Sequence, residues 1–266
     1  MEGNCKVSIK REKTSVFRKL SIYGFEMVNG GHTFYGLLDF DVTDVRKELR
    51  AQRSRGAGGS LFAFMLKAIG KCLEEYPEFN SMINTKHTTT FQEVDIDIPI
   101  EMQQGEEIYN KQCIIRDING KTLQQVDETI EQAKKTIGEE KSYMASTFGQ
   151  KLITLLPKCM VLFIFRHILR NHKLVKKHSG TIFVTSVSMF STTPGYIIPY
   201  TGGPKAVSLA LGSVAKKPVV KHNEVQIREM INITAAFNHD LVDGAPAARF
   251  INRLRRYIEK DYRSFI

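Results

Sequence analysis

A long alternation of apolar and polar residues near the C-terminal end is the feature that most restricts the possible folds. From Val225 to Phe237 most apolar side chains fall on odd positions, which is the period of a β-strand with one buried face. His239 continues the buried parity. Asp243-Gly244 then predicts a turn, and an apolar stripe predicts a helix from Pro246 to Ile258. The chain therefore needs a sheet with one covered face, and a histidine follows its last strand.

The other patterns mix strands and helices without regular alternation. Strands are predicted over 33–42, 94–100, 112–116, 181–188 and 206–211. Ser60 caps one helix, and Thr122 with Gln125 forms a capping box for another. Asp95 and Asp97 share the polar face of their strand, which predicts a half-exposed strand and not a metal site. We therefore predict an α/β fold of the two-layer α+β type, with a mixed β-sheet packed by helices.

The composition is typical of one globular domain. The chain has 266 residues, of which 42% are hydrophobic, so it can bury a sizeable core. The glycine-rich stretch at 55–60 is too short for a domain linker, and we expect a single domain over 1–266. The four cysteines form no CxxC pair, which predicts free, mostly buried thiols and no metal site. With no apolar leader at the N-terminus, a cytoplasmic location is expected.

An apolar run from Leu152 to Leu169 is the one candidate for a membrane segment. Pro157, Lys158 and Arg166 interrupt it, so its charge-free core is too short to span a bilayer. We expect a buried helix with a solvated basic end and no transmembrane segment. Attachment to a membrane interface stays open as an alternative, because several basic residues follow the run at once.

The charge is unevenly distributed. The chain has 38 Lys and Arg against 28 Asp and Glu, a net charge of +10. Residues 1–20, 166–178 and 249–263 are basic, whereas 92–143 is acidic. This asymmetry favours an anionic partner, although a solvated surface would also explain it. Because no zinc-finger pattern or stripe of aromatic and basic residues accompanies the charge, we expect no nucleic acid as the partner. The phosphates of a nucleotide-like cofactor remain as a candidate for the anionic partner.

Taken alone, an inward-facing histidine is more often a hydrogen-bonded core residue than a catalyst. The string FNHDLVDGAPAARF over 237–250, however, resembles the HxxxDG segment of the chloramphenicol acetyltransferase and dihydrolipoyl acyltransferase superfamily. Further resemblances follow in the order of that catalytic domain: DFDVT at 39–43, GTIFVTSVSMF at 180–190 and GPKAVSLALG at 203–212. The chain is identified by this resemblance as an acyltransferase catalytic domain with a chloramphenicol acetyltransferase-like fold, without a lipoyl or subunit-binding domain.

The resemblance implies an acyl-CoA-dependent enzyme and a homotrimer whose active sites lie at subunit interfaces. His239 would be the general base, which needs a neutral imidazole of fixed tautomer. Thr185 aligns with the serine whose hydroxyl stabilises the oxyanion in the family. Ser186 beside it points to the opposite strand face and stays open as the oxyanion donor or as a contact of CoA.

Supporting residues are also implied. Asp243 resembles the family carboxylate that pairs with an arginine near the N-terminus, for which Arg18 is the best match. Gly244 would then be required for close backbone approach or for positive φ. Lys216 and Lys217 follow the strand predicted at 206–211, near where CoA binds in the family, and are candidates for contacts with its phosphates, although solvated charge would also explain each of them.

The sequence departs from the family at several positions. Asn238 and Asp240 flank His239 where acyltransferases of 2-oxo acid dehydrogenase complexes usually show Asp and Arg, and Ser188 replaces a Gly. With no lipoyl domain or swinging linker, we expect a stand-alone enzyme that moves an acyl group from acyl-CoA to a small hydroxyl, thiol or amine acceptor.

Two alternatives to this function stay open. One is a dihydrolipoyl acyltransferase core subunit that uses lipoyl groups of a separate chain, and the other is a non-catalytic assembly protein on the same fold. The end Phe265-Ile266 resembles the anchors that join trimers into cubic cores, although a frayed terminus would also explain it. The acceptor and the acyl chain length do not follow from the sequence.

Overall fold

The computed structural model describes residues 14, 16–28, 31–56, 58–104, 107–139, 156–188, 193–199 and 202–266. The helices of this part are α1 (Val16–Val28), α2 (Thr43–Arg53), α3 (Leu61–Glu75), α4 (Leu123–Glu139), α5 (Lys158–Arg170), α6 (His172–Ser179) and α7 (Gly244–Glu259). The strands are β1 (Thr33–Asp41), β2 (Ser81–Ile83), β3 (Thr88–Thr90), β4 (Ile96–Gln104), β5 (Glu107–Ile115), β6 (Ile182–Ser186), β7 (Val207–Lys221) and β8 (Glu224–Asn238). Short 3-10 helices cover Pro77–Phe79, Ile118–Gly120 and Tyr262–Ser264.

Six strands form one mixed sheet in the order β1-β8-β7-β6-β4-β5. β6 runs parallel to β4 and to β7, and the other neighbours are antiparallel. The hydrophobic core lies on one face of this sheet, where strand side chains pack against α2, α3, α4 and α7. This arrangement confirms the predicted mixed sheet packed by helices.

The two helix starts predicted from the sequence form as expected. Ser60 Oγ accepts a hydrogen bond from the Ala63 amide at 3.0 Å and caps α3. Thr122 and Gln125 form a reciprocal capping box, in which the Thr122 amide donates to Gln125 Oε1 at 2.8 Å and the Gln125 amide to Thr122 Oγ1 at 3.2 Å. Both helices thereby place their apolar stripes on the core side of the sheet.

The β7–β8 hairpin is longer than the sequence indicated. The strand predicted over 206–211 is too short, because β7 continues past Leu211, with an irregularity between Leu211 and Val214, to Lys221. The hairpin turns at His222-Asn223, both with positive φ. Lys216 and Lys217 therefore lie inside this strand and do not follow it.

The buried parity of β8 holds for only part of the strand. All residues from Met230 to Phe237 are buried, and the odd ones among them belong to the hydrophobic core, whereas Val225 and Ile227 are exposed. The reason is that the hairpin extends beyond the helices that cover the core. Val225 pairs with Val220 and Ile227 with Pro218 in this extension.

The half-exposed strand predicted around Asp95 and Asp97 is wrong, because both side chains are buried. Arg116 donates to Asp95 Oδ2 at 2.7 Å, and Ser179 at the end of α6 donates to Asp97 Oδ2 at 3.1 Å. Lys205 Nζ donates to Ser179 Oγ at 2.9 Å. Burial raises the pKa of Asp97 to about 6 and lowers that of Lys205 to about 8. The short helix α6, absent from the sequence prediction, supplies this cover.

The buried helix predicted within 152–169 is also wrong. Residues 151–155 lie outside the described residues, and in α5 Val161 is buried while Met160, Phe163 and Ile164 are exposed. α5 packs on α1, a helix absent from the sequence prediction, and Lys158 Nζ lies 2.8 Å from a carboxylate oxygen of Glu26 on α1. No helix in the described part of the chain has the length and apolar content to cross a membrane.

The cysteines are less buried than expected. Cys72 is buried, Cys113 is half-buried and Cys159 is exposed, all as free thiols, while Cys5 lies outside the described residues. Within the described ranges no group of three His, Cys, Asp or Glu side chains could hold a metal ion.

Candidate active site

His239 lies one residue beyond the end of β8, and its side chain is 52% exposed. The inward orientation expected from strand parity is therefore wrong. β8 ends at Asn238, whose carbonyl accepts hydrogen bonds from the amides of Leu241 and Val242 at 3.0 Å. This turn stops the alternation one residue before the histidine. The His239 amide still donates to the carbonyl of His32 at 2.6 Å, which holds its backbone to the segment before β1.

An aromatic ring and a carboxylate flank the imidazole of His239. The ring of Phe34 lies 5.0 Å from it, centroid to centroid, at an interplanar angle of 58°, and Phe34 itself stacks on buried Phe237. Asp243 Oδ1 lies 3.4 Å from His239 Nδ1. A proton on Nδ1, facing the carboxylate, leaves Nε2 unprotonated, which is the tautomer that a general base requires.

Asp243 makes an ionic contact with His239. It occupies the residue before α7, four positions after His239, and the intervening turn brings the two side chains together. Arg18 lies on α1. The pair between Asp243 and Arg18 stays a prediction.

Gly244 is the first residue of α7 and does not have the positive φ expected of it. A Cβ atom built on Gly244 would meet no atom within 4 Å. The expectation of close backbone approach is therefore wrong for the described chain. The space beside the start of α7 is open next to His239.

Thr185 faces away from the hydrophobic core. Its neighbours Val184 and Ile182 are buried in the core, so strand alternation directs Thr185 to the opposite face of β6. The Thr185 hydroxyl has no hydrogen-bond partner among the described residues. The Ser186 hydroxyl lies 2.8 Å from that of Ser188 and accepts from the Ser188 amide at 3.3 Å. Of the two candidate hydroxyls, Thr185 is the one available to an external group.

The register of the sheet separates Thr185 from His239. Thr185 pairs with Ala210, and Ala210 pairs with Thr234, so Thr185 lies two strands from Thr234. His239 follows Thr234 by five residues along β8. At ~3.3 Å per residue and ~4.8 Å per strand, the two backbones are roughly 20 Å apart. One chain thus does not bring the two predicted catalytic side chains together.

A polar cluster on the same sheet face as Thr185 was missed by the sequence analysis. Asp39 accepts from Asn232 Nδ2 at 2.5 Å and from Lys217 Nζ at 2.9 Å. Burial and a hydrogen bond to Asp39 raise the pKa of Tyr196. Asn232 Oδ1 is buried without a partner among the described atoms. The sequence signal that could have indicated this cluster was Asp39, the first residue of the DFDVT string, which lies opposite Asn232 on the last strand.

Comparison with known proteins gives a consistent result. The model of the family described as 2-oxoacid dehydrogenases acyltransferase (catalytic domain) matches residues 33–153 and 169–266. The lipoamide acyltransferase component of the branched-chain alpha-keto acid dehydrogenase complex of Bacillus subtilis is 24% identical over 84% of this chain and 46% of its own length. The dihydrolipoyllysine-residue acetyltransferase component of the pyruvate dehydrogenase complex of Haemophilus influenzae is 22% identical over 80% of this chain and 33% of its own length.

Solved structures share the fold. The cubic core of the pyruvate dehydrogenase multienzyme complex superposes with a TM-score of 0.70 at 17% identity, covering 100% of this chain and 98% of that chain. A chloramphenicol acetyltransferase gives a TM-score of 0.51 at 13% identity, covering 92% and 98%. The chain spans less than half the length of the two curated relatives named above.

Proposed function

The chain belongs to the family of 2-oxoacid dehydrogenase acyltransferase catalytic domains, and from this premise we propose that it transfers an acyl group between CoA and a dihydrolipoyl thiol carried on a separate chain. The observation that carries the proposal is the half-exposed His239, with Nδ1 3.4 Å from Asp243. The names of the relatives, a lipoamide acyltransferase and a dihydrolipoyllysine-residue acetyltransferase, support the choice of acceptor.

The chemistry is a thioester exchange. His239 Nε2 takes the proton of the acceptor thiol, and the thiolate attacks the carbonyl carbon of acyl-CoA. The carbonyl oxygen becomes an oxyanion, which a hydroxyl donor stabilises. When the intermediate collapses, the C–S bond to CoA breaks and the imidazolium returns its proton to the leaving thiolate. No electrons are gained or lost, so the residues of the chain suffice for this step.

The oxyanion donor in this proposal is Thr185 of a neighbouring subunit. The roughly 20 Å between Thr185 and His239 within one chain requires a second chain if both act at one centre. A trimer with a site at each interface satisfies this requirement, and the exposed apolar side chains Val220, Val225 and Ile227 on the hairpin extension offer an interface. Assembly of such trimers into a larger cubic core is a further part of the proposal, supported by the solved cubic core of the same fold.

Lysines of β7 are candidates for the phosphates of CoA. Lys216 is exposed, whereas Lys217 already pairs with Asp39. Lys216 is therefore the better candidate of the two, since its ammonium needs no internal ion pair to be broken.

A second candidate acceptor is a free small molecule. It is favoured by the side chains around the histidine, because Asp240 lies 2.8 Å from His32 Nδ1 and puts a carboxylate beside the site. A carboxylate at this position favours a neutral or cationic acceptor over an anionic one.

The test measures CoA release from acetyl-CoA and longer acyl-CoA substrates. Dihydrolipoamide, a dihydrolipoyl protein domain and a panel of small amines and alcohols serve as acceptors. We expect turnover with the dihydrolipoyl acceptors, at least ~10²-fold reduced in His239→Ala and retained in the neighbouring control His32→Ala. Turnover with amines or alcohols alone would show that the acceptor is a small molecule and not a dihydrolipoyl group. Full activity of His239→Ala would show that His239 is not the general base.

A further inference from the structure

The helix pair formed by α1 and α5 lies outside the part of the chain that the family model matches. The match begins at residue 33, after α1, and skips residues 154–168, which contain most of α5. The two helices pack on each other. The Lys158 ammonium joins them through its ion pair with Glu26 and lies 5.6 Å from the ring of Tyr23. The family model therefore leaves most of this helix pair unmatched.

The outward side of this pair, here called the α1–α5 face, exposes large apolar side chains. Phe163 is 73% exposed, which is unusual for a phenylalanine. Met160 lies one turn before it and Ile164 beside it, both exposed, and Ile22 of α1 is exposed as well. Val161 is buried, and four further apolar residues of α5 are half-buried, namely Leu162, Phe165, Ile168 and Leu169. Met160, Phe163 and Ile164 form the side of the helix that the chain leaves exposed.

Cations surround the apolar side chains. On α5, Arg166 and Arg170 follow Phe163 by three and seven residues and therefore share its side of the helix. α1, α5 and α6 together carry eight Lys or Arg and one acidic residue, Glu26. Within the described residues, no carboxylate pairs with Arg166, Arg170, Lys173 or Lys177. The face therefore combines exposed apolar groups with unneutralised positive charge.

We propose that the α1–α5 face attaches the protein to the surface of a membrane that contains anionic lipids. Apolar side chains with a basic rim match the boundary between acyl chains and anionic headgroups, and arginine can extend its charged end to the headgroups while its stem stays among apolar groups. α5 has 13 residues, about 20 Å of helix, so it presents one face to the lipid. A second copy that met this face with its own α1–α5 face would bring the same positive charge, which disfavours a face-to-face dimer as the occupant.

The chain offers a clean probe, because it contains no tryptophan. Phe163→Trp places one fluorophore at the centre of the face. We expect its emission to shift to the blue when phosphatidylcholine vesicles with about 30% phosphatidylglycerol are added, and to change little with phosphatidylcholine alone. Equal shifts with both vesicles would overturn the role of charge. An emission that neither kind of vesicle changes would overturn the proposal. An emission that shifts to the blue with rising protein concentration in the absence of lipid would also overturn it, because another copy of the chain would then cover the face.

Co-flotation of the full chain with the same vesicles gives an independent measurement. Phe163→Ser should lower the bound fraction at least about tenfold, whereas Phe163→Leu, which keeps an apolar side chain, should retain it. Arg166→Glu should lower binding at least about fivefold, while Lys260→Glu, the same charge change at the exposed end of α7, should not. Equal effects of Arg166→Glu and Lys260→Glu would contradict attachment through this face. All variants are compared with equal amounts of folded protein, judged by circular dichroism.

Discussion

At the scale of single residues, the candidate site depends on where β8 ends. One more residue of regular strand would turn the His239 ring toward the core beside Phe237, but the turn at Asn238 leaves it at the surface with Asp243. The ring of Phe34 packs against the imidazole, and a proton on Nδ1 would face the carboxylate of Asp243. Thr185 is different, because its side chain faces away from the core, and in the proposed function its hydroxyl acts together with His239 of a neighbouring chain.

Replacement of Thr185 separates a hydroxyl function from a packing function. Thr185→Val keeps the shape and deletes the donor, so we expect kcat to fall by ~10²-fold with a much smaller change in the KM for acyl-CoA. Thr185→Ser keeps the donor and should retain most of kcat. Steady-state kinetics of both variants checks this. Equal activity of the valine and serine variants would exclude Thr185 as the oxyanion donor.

At the scale of secondary-structure elements, a buried polar cluster holds the end of α6 against the sheet. Lys205 and Asp97 both contact Ser179, the last residue of α6. Lys205 directly precedes Ala206, whose carbonyl accepts a 2.9 Å hydrogen bond from the Asn238 amide. The cluster therefore supports the start of β7 and, one contact further, the end of the strand that leads to His239.

This cluster predicts a pH dependence of stability. The folded-state pKa of Asp97, about 6, lies above its unfolded value, so the folded protein binds more protons between the two values. The contribution is fully present below the unfolded pKa and is lost as pH rises through 6. Relative to Asp97→Asn, the wild-type free energy of unfolding should rise by about 2 kcal/mol between pH 7 and pH 4. Urea titrations at one protein concentration check this, and parallel pH profiles of the two proteins would contradict it.

The sequence predicts the elements whose signals are local. Ser60 and the Thr122–Gln125 pair cap their helices because the interacting atoms are three residues apart, and the odd residues from Ile231 to Phe237 follow the strand period. The burial of Asp97 was not predictable in this way, since it depends on Ser179 and Lys205 far along the chain.

The candidate site was predicted less completely than the fold. The HxxxDG string indicated His239 and Asp243, but the contact between them follows from a turn that the alternation did not show. The partner expected for Asp243 was Arg18, which is distant in sequence, and a contact between such distant residues cannot be predicted from a local sequence pattern. The polar cluster of Asp39, Asn232 and Lys217 joins three strands, so it can be recognised only when the order of the strands in the sheet is known.

At the scale of the whole molecule, the proposed active site requires more than one chain. The hairpin extension carries Val220, Val225 and Ile227 on the surface of a single chain, and the two catalytic candidates are on separate regions of the sheet. Both observations are explained by a trimer in which the hairpin is covered by a neighbour.

A charge on the hairpin should dissociate this trimer. Ile227→Asp places a carboxylate at a side chain that is 74% exposed in one chain, so the isolated fold should keep its stability. Light scattering should show a wild-type mass near roughly 90 kDa for three chains, or a multiple of it if trimers join into a cubic core. The variant should show a smaller mass and lose activity. Ile227→Val should keep both. A wild-type monomer, or an active Ile227→Asp monomer, would contradict the shared site.

The most direct test of the central claim is complementation between two inactive variants. His239→Ala and Thr185→Val are unfolded together, mixed in equal amounts and refolded, so that random trimers form. If one chain supplies His239 and its neighbour supplies Thr185, about a quarter of the interfaces hold both native residues, and about a quarter of wild-type activity should return. If both residues act within one chain, every site in the mixture carries a substitution. Activity no higher than the mean of the two separate variants would contradict the account.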